Sequence, residues 1–142
     1  MMWAISFVLA LSSNSPPPAA VVMKDEPVTA AVYVPAQARH AKLVSLRLEG
    51  VVMKRNAAAL WNIFWNMPNA NAQTPVTDEH FAGYVASPAN SAMRDPKPAN
   101  FMLQLPEAAV LSMRDAATMS FTFVPVRKLP EGGVTIWTIR LE

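Results

Sequence analysis

The 142-residue chain has no cysteine, four glycines and two histidines, and charged residues make up 15% of it. Each shortage removes a class of chemistry. Without cysteine there is no disulfide, no thiolate zinc site and no thiol nucleophile. The sequence holds no Gly-x-Ser-x-Gly elbow and no glycine-rich phosphate loop. Its basic residues come singly or in pairs, such as Lys54-Arg55 and Arg127-Lys128, and the net charge is +2. That pattern describes a solvated surface, so no nucleic-acid partner is expected. The apolar segment Met1 to Leu11 is too short to span a bilayer, so no membrane partner is expected either.

What the chain does have is proline, 13 of them, and a hydrophobic share of 52%. Prolines at this density interrupt long helices. A chain of 142 residues suits one domain, one that buries about 68% of its unfolded surface. Short alternating runs between proline-rich breaks predict an all-β fold, an antiparallel β-sandwich of jelly-roll or Greek-key kind. At most one short helix is expected, near 106–113, where Pro106 suits a first turn and Glu107, Ala108 and Ala109 favour helix. Residues 1–20 read as an apolar segment followed by a Pro-rich linker, and residues 21–142 as a single sandwich domain.

Period-two alternation marks the strands. Val28, Ala30, Val32 and Val34 share one face of the first clear run, which Pro35 ends. Val44, Leu46 and Leu48 point inward between Ser45, Arg47 and Glu49, and Gly50 allows a bend. Trp61, Ile63 and Trp65 alternate with Leu60, Asn62, Phe64 and Asn66. His80 to Ala86 is a further strand, with Gly83 at a bulge or a close backbone contact. Asn100 to Leu105 precedes the short helix. Met119, Phe121 and Phe123 then alternate with Ser120, Thr122 and Val124.

Leu129 to Gly133 reads as a turn, and Val134 to Leu141 as the last strand, so the end of the chain is expected to form a terminal β-hairpin. In that strand the apolar phase changes, Val134 and Ile136 first, then Trp137, Ile139 and Leu141. A bulge at Ile136-Trp137 or burial of both faces accounts for this. Asn69 to Asp78 and Ser87 to Ala99 are the long loops.

Met1 to Leu11 leaves two readings open: a strand remnant, or a weak signal lacking a basic leader. Secretion or a periplasmic location follows if residues 1–15 act as a signal, a cytoplasmic one otherwise.

Three features invite a binding chemistry and are read as structural. His80 follows Asp78 and Glu79, but consecutive strand residues point to opposite faces, so no metal site is expected there; His40, beside Arg39, reads as a surface residue. Met23, Met53, Met67, Met93, Met102, Met113 and Met119 lack the close spacing of a Cu(I) site and read as core filler. Trp61 and Trp65 share a strand face, which suits either a sugar-stacking platform or a core.

In their order, these segments resemble the C-terminal sandwich domain of polyphenol oxidases and tyrosinases. The family's Lys-Phe-Asp-Val-Phe-Val-Asn stretch is similar to Leu60-Trp61-Asn62-Ile63-Phe64-Trp65-Asn66, with Phe64 and Asn66 the same, Trp61 keeping an aromatic and Ile63 a β-branched residue, while Leu60, Asn62 and Trp65 depart from it. Its Phe-Ala/Val-Gly matches Phe81-Ala82-Gly83, and its Val-Pro strand end matches Val124-Pro125. Its closing Val-Thr-Ile-Gly-Gly-Ile-Lys-Ile-Glu is similar to Val134 to Glu142, where Ile136 and Ile139 are kept and Trp137-Thr138 replace Gly-Gly. All nine named motif positions (Trp61, Asn62, Phe64, Asn66, Phe81, Gly83, Pro125, Ile136 and Ile139) are framework residues, not catalytic or metal-binding ones.

The resemblance implies a non-catalytic cover over a separate helical domain that carries two copper ions, with a side chain of the cover standing where a phenol would bind. That oxidase chemistry uses six histidines in the family, and this chain has two, so it is expected to bind no cofactor. Its partner would be a tyrosinase-type dicopper domain, on the same or a separate chain. The alternatives are an independent sandwich module for carbohydrate or protein, and an orphan fragment of a disrupted oxidase gene. An edge strand left bare by an absent domain offers a route to self-association.

Overall fold

A computed structural model describes residues 19–53, 58–87, 98–127, 129 and 133–142. The strands are β1 (Ala19–Met23), β2 (Val28–Tyr33), β3 (Ser45–Met53), β4 (Ala59–Trp65), β5 (Phe81–Ser87), β6 (Ala99–Gln104), β7 (Thr118–Pro125) and β8 (Val134–Leu141). They form two four-stranded antiparallel sheets, ordered β1-β8-β3-β6 and β2-β7-β4-β5. The expected all-β sandwich is the observed fold. Its core lies between the sheets, where β4 contributes Trp61, Ile63 and Trp65, and β7 contributes Met119, Phe121 and Phe123. Facing them are Leu46, Leu48 and Val51 of β3 and Ile136, Ile139 and Leu141 of β8.

The terminal hairpin is not there. β7 pairs with β2 and β4, whereas β8 pairs with β1 and β3 in the other sheet. The two strands therefore face each other across the core instead of lying side by side. Alternation shows which side chains point inward, but not which strand is the neighbour. The connection between them is fastened to the β1–β2 turn, where the Leu129 N–H donates to Asp25 Oδ1 at 3.0 Å. Of the expected turn, Pro130 to Gly132 lie outside the described residues.

Among the described residues two short helices sit at one end of the sandwich. The expected one is α2 (Glu107–Ser112), preceded by an extended Pro106 and packed through Ala109 and Val110. The other, α1 (Ala36–His40), was not expected. It repeats the same device: Pro35 is held extended at φ −69°, and good helix formers follow. β1 also begins at Ala19, inside the stretch read as linker, and pairs with β8. The apolar segment Met1 to Leu11, the prolines Pro16 to Pro18 and most of the Ser87–Ala99 loop lie outside the described residues.

Gly83 falls at a register shift between β4 and β5 and has φ +143°. A Cβ built there would come within 2.6 Å of Leu103 Cδ1 on the opposite sheet. The expected bulge is there, while the close contact is with a side chain and not with backbone.

The phase change in β8 has a partner in β3. Against β6, β3 slips between Leu48 and Val51; against β1, β8 slips between Ile136 and Ile139. Against each other the two central strands stay in step, Glu49 opposite Thr138 and Val51 opposite Ile136. Each thus carries one extra residue at the same level, a paired bulge that lets both faces resume alternation. Gly50 supplies the positive φ (+65°) this needs, and its N–H reaches Asn100 Oδ1 at 3.1 Å. Trp137 lies opposite Gly50 and turns outward, not inward with Ile139 and Leu141; its Cβ is 2.9 Å from where a Gly50 Cβ would stand.

Candidate functional site

The outer faces of the two sheets differ, and that difference locates the candidate surface. On the β2-β7-β4-β5 sheet, residues 66–80 fold back over the outside. Asn66 begins the loop at φ +47° and clamps Ser120: its N–H donates to the Ser120 carbonyl at 2.8 Å, and its Oδ1 accepts from the Ser120 N–H at 3.1 Å. Thr122 Oγ1 donates to the Met67 carbonyl at 3.0 Å. The loop closes where Trp65 N–H meets the His80 carbonyl at 2.8 Å. Under it lies a second small core of Phe64, Ala70 and Val124, flanked by Met67 and Phe81, with the Phe64 and Phe81 rings edge to face at 5.5 Å. Its polar tip is pinned by Asn71 and Thr74.

The outer face of the β1-β8-β3-β6 sheet carries no such cover among the described residues. Arg47 and Arg140 stand opposite each other on β3 and β8, a like-charge pair that is unfavourable by itself. Two carboxylates offset it. Arg140 Nε lies 3.0 Å from Glu49 and 3.6 Å from Glu142, while Arg47 Nη1 lies 3.2 Å from Glu142 and its Nε 3.5 Å from Glu49. The sequence carried a signal for this: Arg-Leu-Glu occurs at 47–49 and again at 140–142, on what prove to be neighbouring strands. Beyond the ring of charges Trp137 is 65% exposed and Val22 53%, and Met102 projects beside Arg47.

The motif positions separate by role. Trp61, Ile136 and Ile139 are in the main core, and Trp61 meets Phe101 edge-on at 6.4 Å. Phe64, Phe81 and Asn66 build the loop-covered cluster. Asn62 faces outward on β4 between Tyr84 and Val124, Gly83 makes the bulge, and Pro125 ends β7 opposite Trp61. No two of them converge on a cavity with a nucleophile or an acid–base pair.

Trp61 and Trp65 are 0% and 7% exposed, so the sugar-stacking platform is not available. Met23, Met113 and Met119 are buried in the core, as core filler should be, and Met53 and Met67 pack at its edges; Met102 is not core filler, because it is exposed on the outer face of β6, and Met93 lies outside the described residues. His80 stacks on Trp65 at 4.4 Å, with Nδ1 2.9 Å from the Trp65 carbonyl oxygen and Nε2 3.7 Å from Glu79. His40 is the last residue of α1. Among the described residues no three His, Cys, Asp or Glu side chains gather closely enough to hold a metal ion.

Two grooves open at the helical end. One, of about 460 Å³, runs between α1 and the end of β8 and is bordered by Pro35, Ala38, Ala41, Arg140 and Leu141. The other, of about 340 Å³, lies beside α2 and is bordered by Leu43, Leu105, Val110 and Leu111. Glu142 joins Arg140 on the first, and Lys42, Glu107 and Arg114 border the second.

Solved structures carry the same fold. Latent aurone synthase, a polyphenol oxidase, from its natural source superposes with a TM-score of 0.62 at 15% identity, over 92% of this chain and 26% of its own. Recombinant latent aurone synthase gives 0.60 at 15% identity, with the same coverage. Latent apple tyrosinase gives 0.58 at 22% identity, over 88% of this chain and 27% of its own. The fold is shared with part of the latent polyphenol oxidases. The chain spans about a quarter of their length. Neither a protein-family model nor a curated protein matches its sequence.

Proposed function

We propose that this chain is a C-terminal-type shielding domain of the polyphenol oxidase and tyrosinase kind, a cover that regulates a dicopper domain without catalysing anything itself. The observation that carries the reading is the fold shared over nearly the whole chain with about a quarter of enzymes described as latent. The motif order from Leu60 to Glu142 supports the same assignment. The residues present do not fit the copper centre of that family, which uses six histidines: this chain has two, His40 at the end of α1 and His80 in the loop before β5. Copper therefore belongs to the partner domain, which supplies the oxidase chemistry, on the same polypeptide or another.

The mechanism is steric. A rigid sandwich seated over the copper pocket excludes the phenol and leaves the metal ligands untouched. Such a block competes with the phenol. Added to a tyrosinase-type dicopper domain prepared without its own cover, the chain is expected to raise the apparent KM for a phenol and leave kcat at saturation unchanged. A fall in kcat at constant KM would count against the steric mechanism.

A further inference from the structure

The reading above says that the sandwich covers a partner, but not which of its surfaces does so. One outer face is already occupied by the 66–80 loop, with Phe64 and Val124 buried beneath it. The other presents Trp137, Val22 and Met102 to solvent at 65%, 53% and 58% exposure. An indole held over a glycine on a paired bulge is an expensive thing to leave in water. Gly50 leaves the room that lets Trp137 lie against the backbone instead of swinging free. Tryptophan, methionine and arginine are also the side chains that protein interfaces concentrate at their centres.

We infer that the outer face of the β1-β8-β3-β6 sheet, anchored on the Trp137 indole, is the seat for a neighbouring folded domain. This inference rests on the shielding reading and adds the surface through which it works. The chemistry of the partner follows from the charges. Arg47, Arg140, Glu49 and Glu142 are paired with one another, so the face asks for no counter-charge. It fits an uncharged partner surface with an apolar recess that takes the ring.

Area decides between a second copy and another domain. The longest strands run eight or nine residues in a four-stranded sheet, which gives this face roughly 500 Å² at ordinary strand rise and spacing. A stable association of free proteins buries about 800 Å² on each side. A second copy seated here is under-held. A domain tethered to this one gains effective concentration and needs less contact.

The test compares two exposed aromatics on opposite sheets. Full-length chains carrying Trp137→Ala, Val22→Asp or Tyr84→Ala are titrated into a tyrosinase-type dicopper domain lacking its own cover, with the dissociation constant read by calorimetry. Trp137→Ala is expected to weaken binding about tenfold or more, and Val22→Asp, on the same face, to weaken it as well. Tyr84→Ala, on the other sheet and 62% exposed, stays within about twofold of the parent, as near-neutral positions do. Thermal melts of all three keep loss of folding apart from loss of contact. If the parent binds and Trp137→Ala binds equally well, the seat is elsewhere and the shielding reading survives. If the parent neither binds free nor, when joined to that domain by a flexible linker, raises its KM for a phenol, both fall. A Trp137-dependent homodimer in sedimentation would also overturn the inference, because it would put a second copy on this face.

Discussion

Phe64 and Trp137 are both aromatic side chains aimed away from the main core, one on each sheet, and their surroundings are opposite. Phe64 is fully buried because the 66–80 loop returns over it with Ala70, Met67 and Phe81. Trp137 stands two-thirds exposed with a glycine beneath and a ring of paired charges beside it. Alternation alone makes the two equivalent. The difference lies in what returns over each: the fifteen residues between β4 and β5 have the length to cover their own sheet, whereas no described segment folds back over Trp137. An outward aromatic with a cover adds to stability, and one without a cover is available to a partner.

That contrast can be broken in stages. The reference is the main core itself: Trp61→Ala should destabilise the fold by about 3–5 kcal/mol, the usual range for emptying a buried aromatic site, seen as a lower urea midpoint. Phe64→Ala should cost somewhat less, about 2–4 kcal/mol, because its cluster is small and the loop can settle into part of the gap. A loss below about 0.5 kcal/mol there, the level of an ordinary surface change, would mean the loop does not cover the sheet in solution. Gly50→Ala should cost about 1–2 kcal/mol, since alanine is strained at φ +65° and its Cβ meets Trp137. Trp137→Ala should lie within about 0.5 kcal/mol of the parent in the same melts. Equal losses for Phe64→Ala and Trp137→Ala would erase the distinction between the faces. Arg140→Ala should likewise cost little, below about 1 kcal/mol and fading as salt is raised.

Much of this architecture was legible from periodicity. Val44, Leu46 and Leu48 announced β3, and Trp61, Ile63 and Trp65 announced β4, because a half-buried strand must alternate. Gly83 was readable as a bulge or close contact, since a glycine inside a strand pattern has few other reasons to be there. Other features were not local enough to read. Whether β7 pairs with β8 or faces it depends on β2, β4, β1 and β3 being present to take the hydrogen bonds. β3 runs on past Gly50 to Met53 because the matching bulge in β8 absorbs the extra residue. Trp137 was placed inward by its apolar character, whereas its direction is set by that bulge. The candidate surface was likewise hidden: its charge ring needs two Arg-Leu-Glu triplets, over ninety residues apart in the chain, to become neighbours.

The central claim, that this sandwich is a cover for a dicopper domain, is most directly tested by initial rate. A fixed amount of that domain, freed of its own cover and oxidising a catechol, is titrated with the purified chain. The account predicts a saturable fall in rate that reaches its floor near one chain per domain at concentrations above the dissociation constant. A rate that stays flat into large molar excess would contradict it.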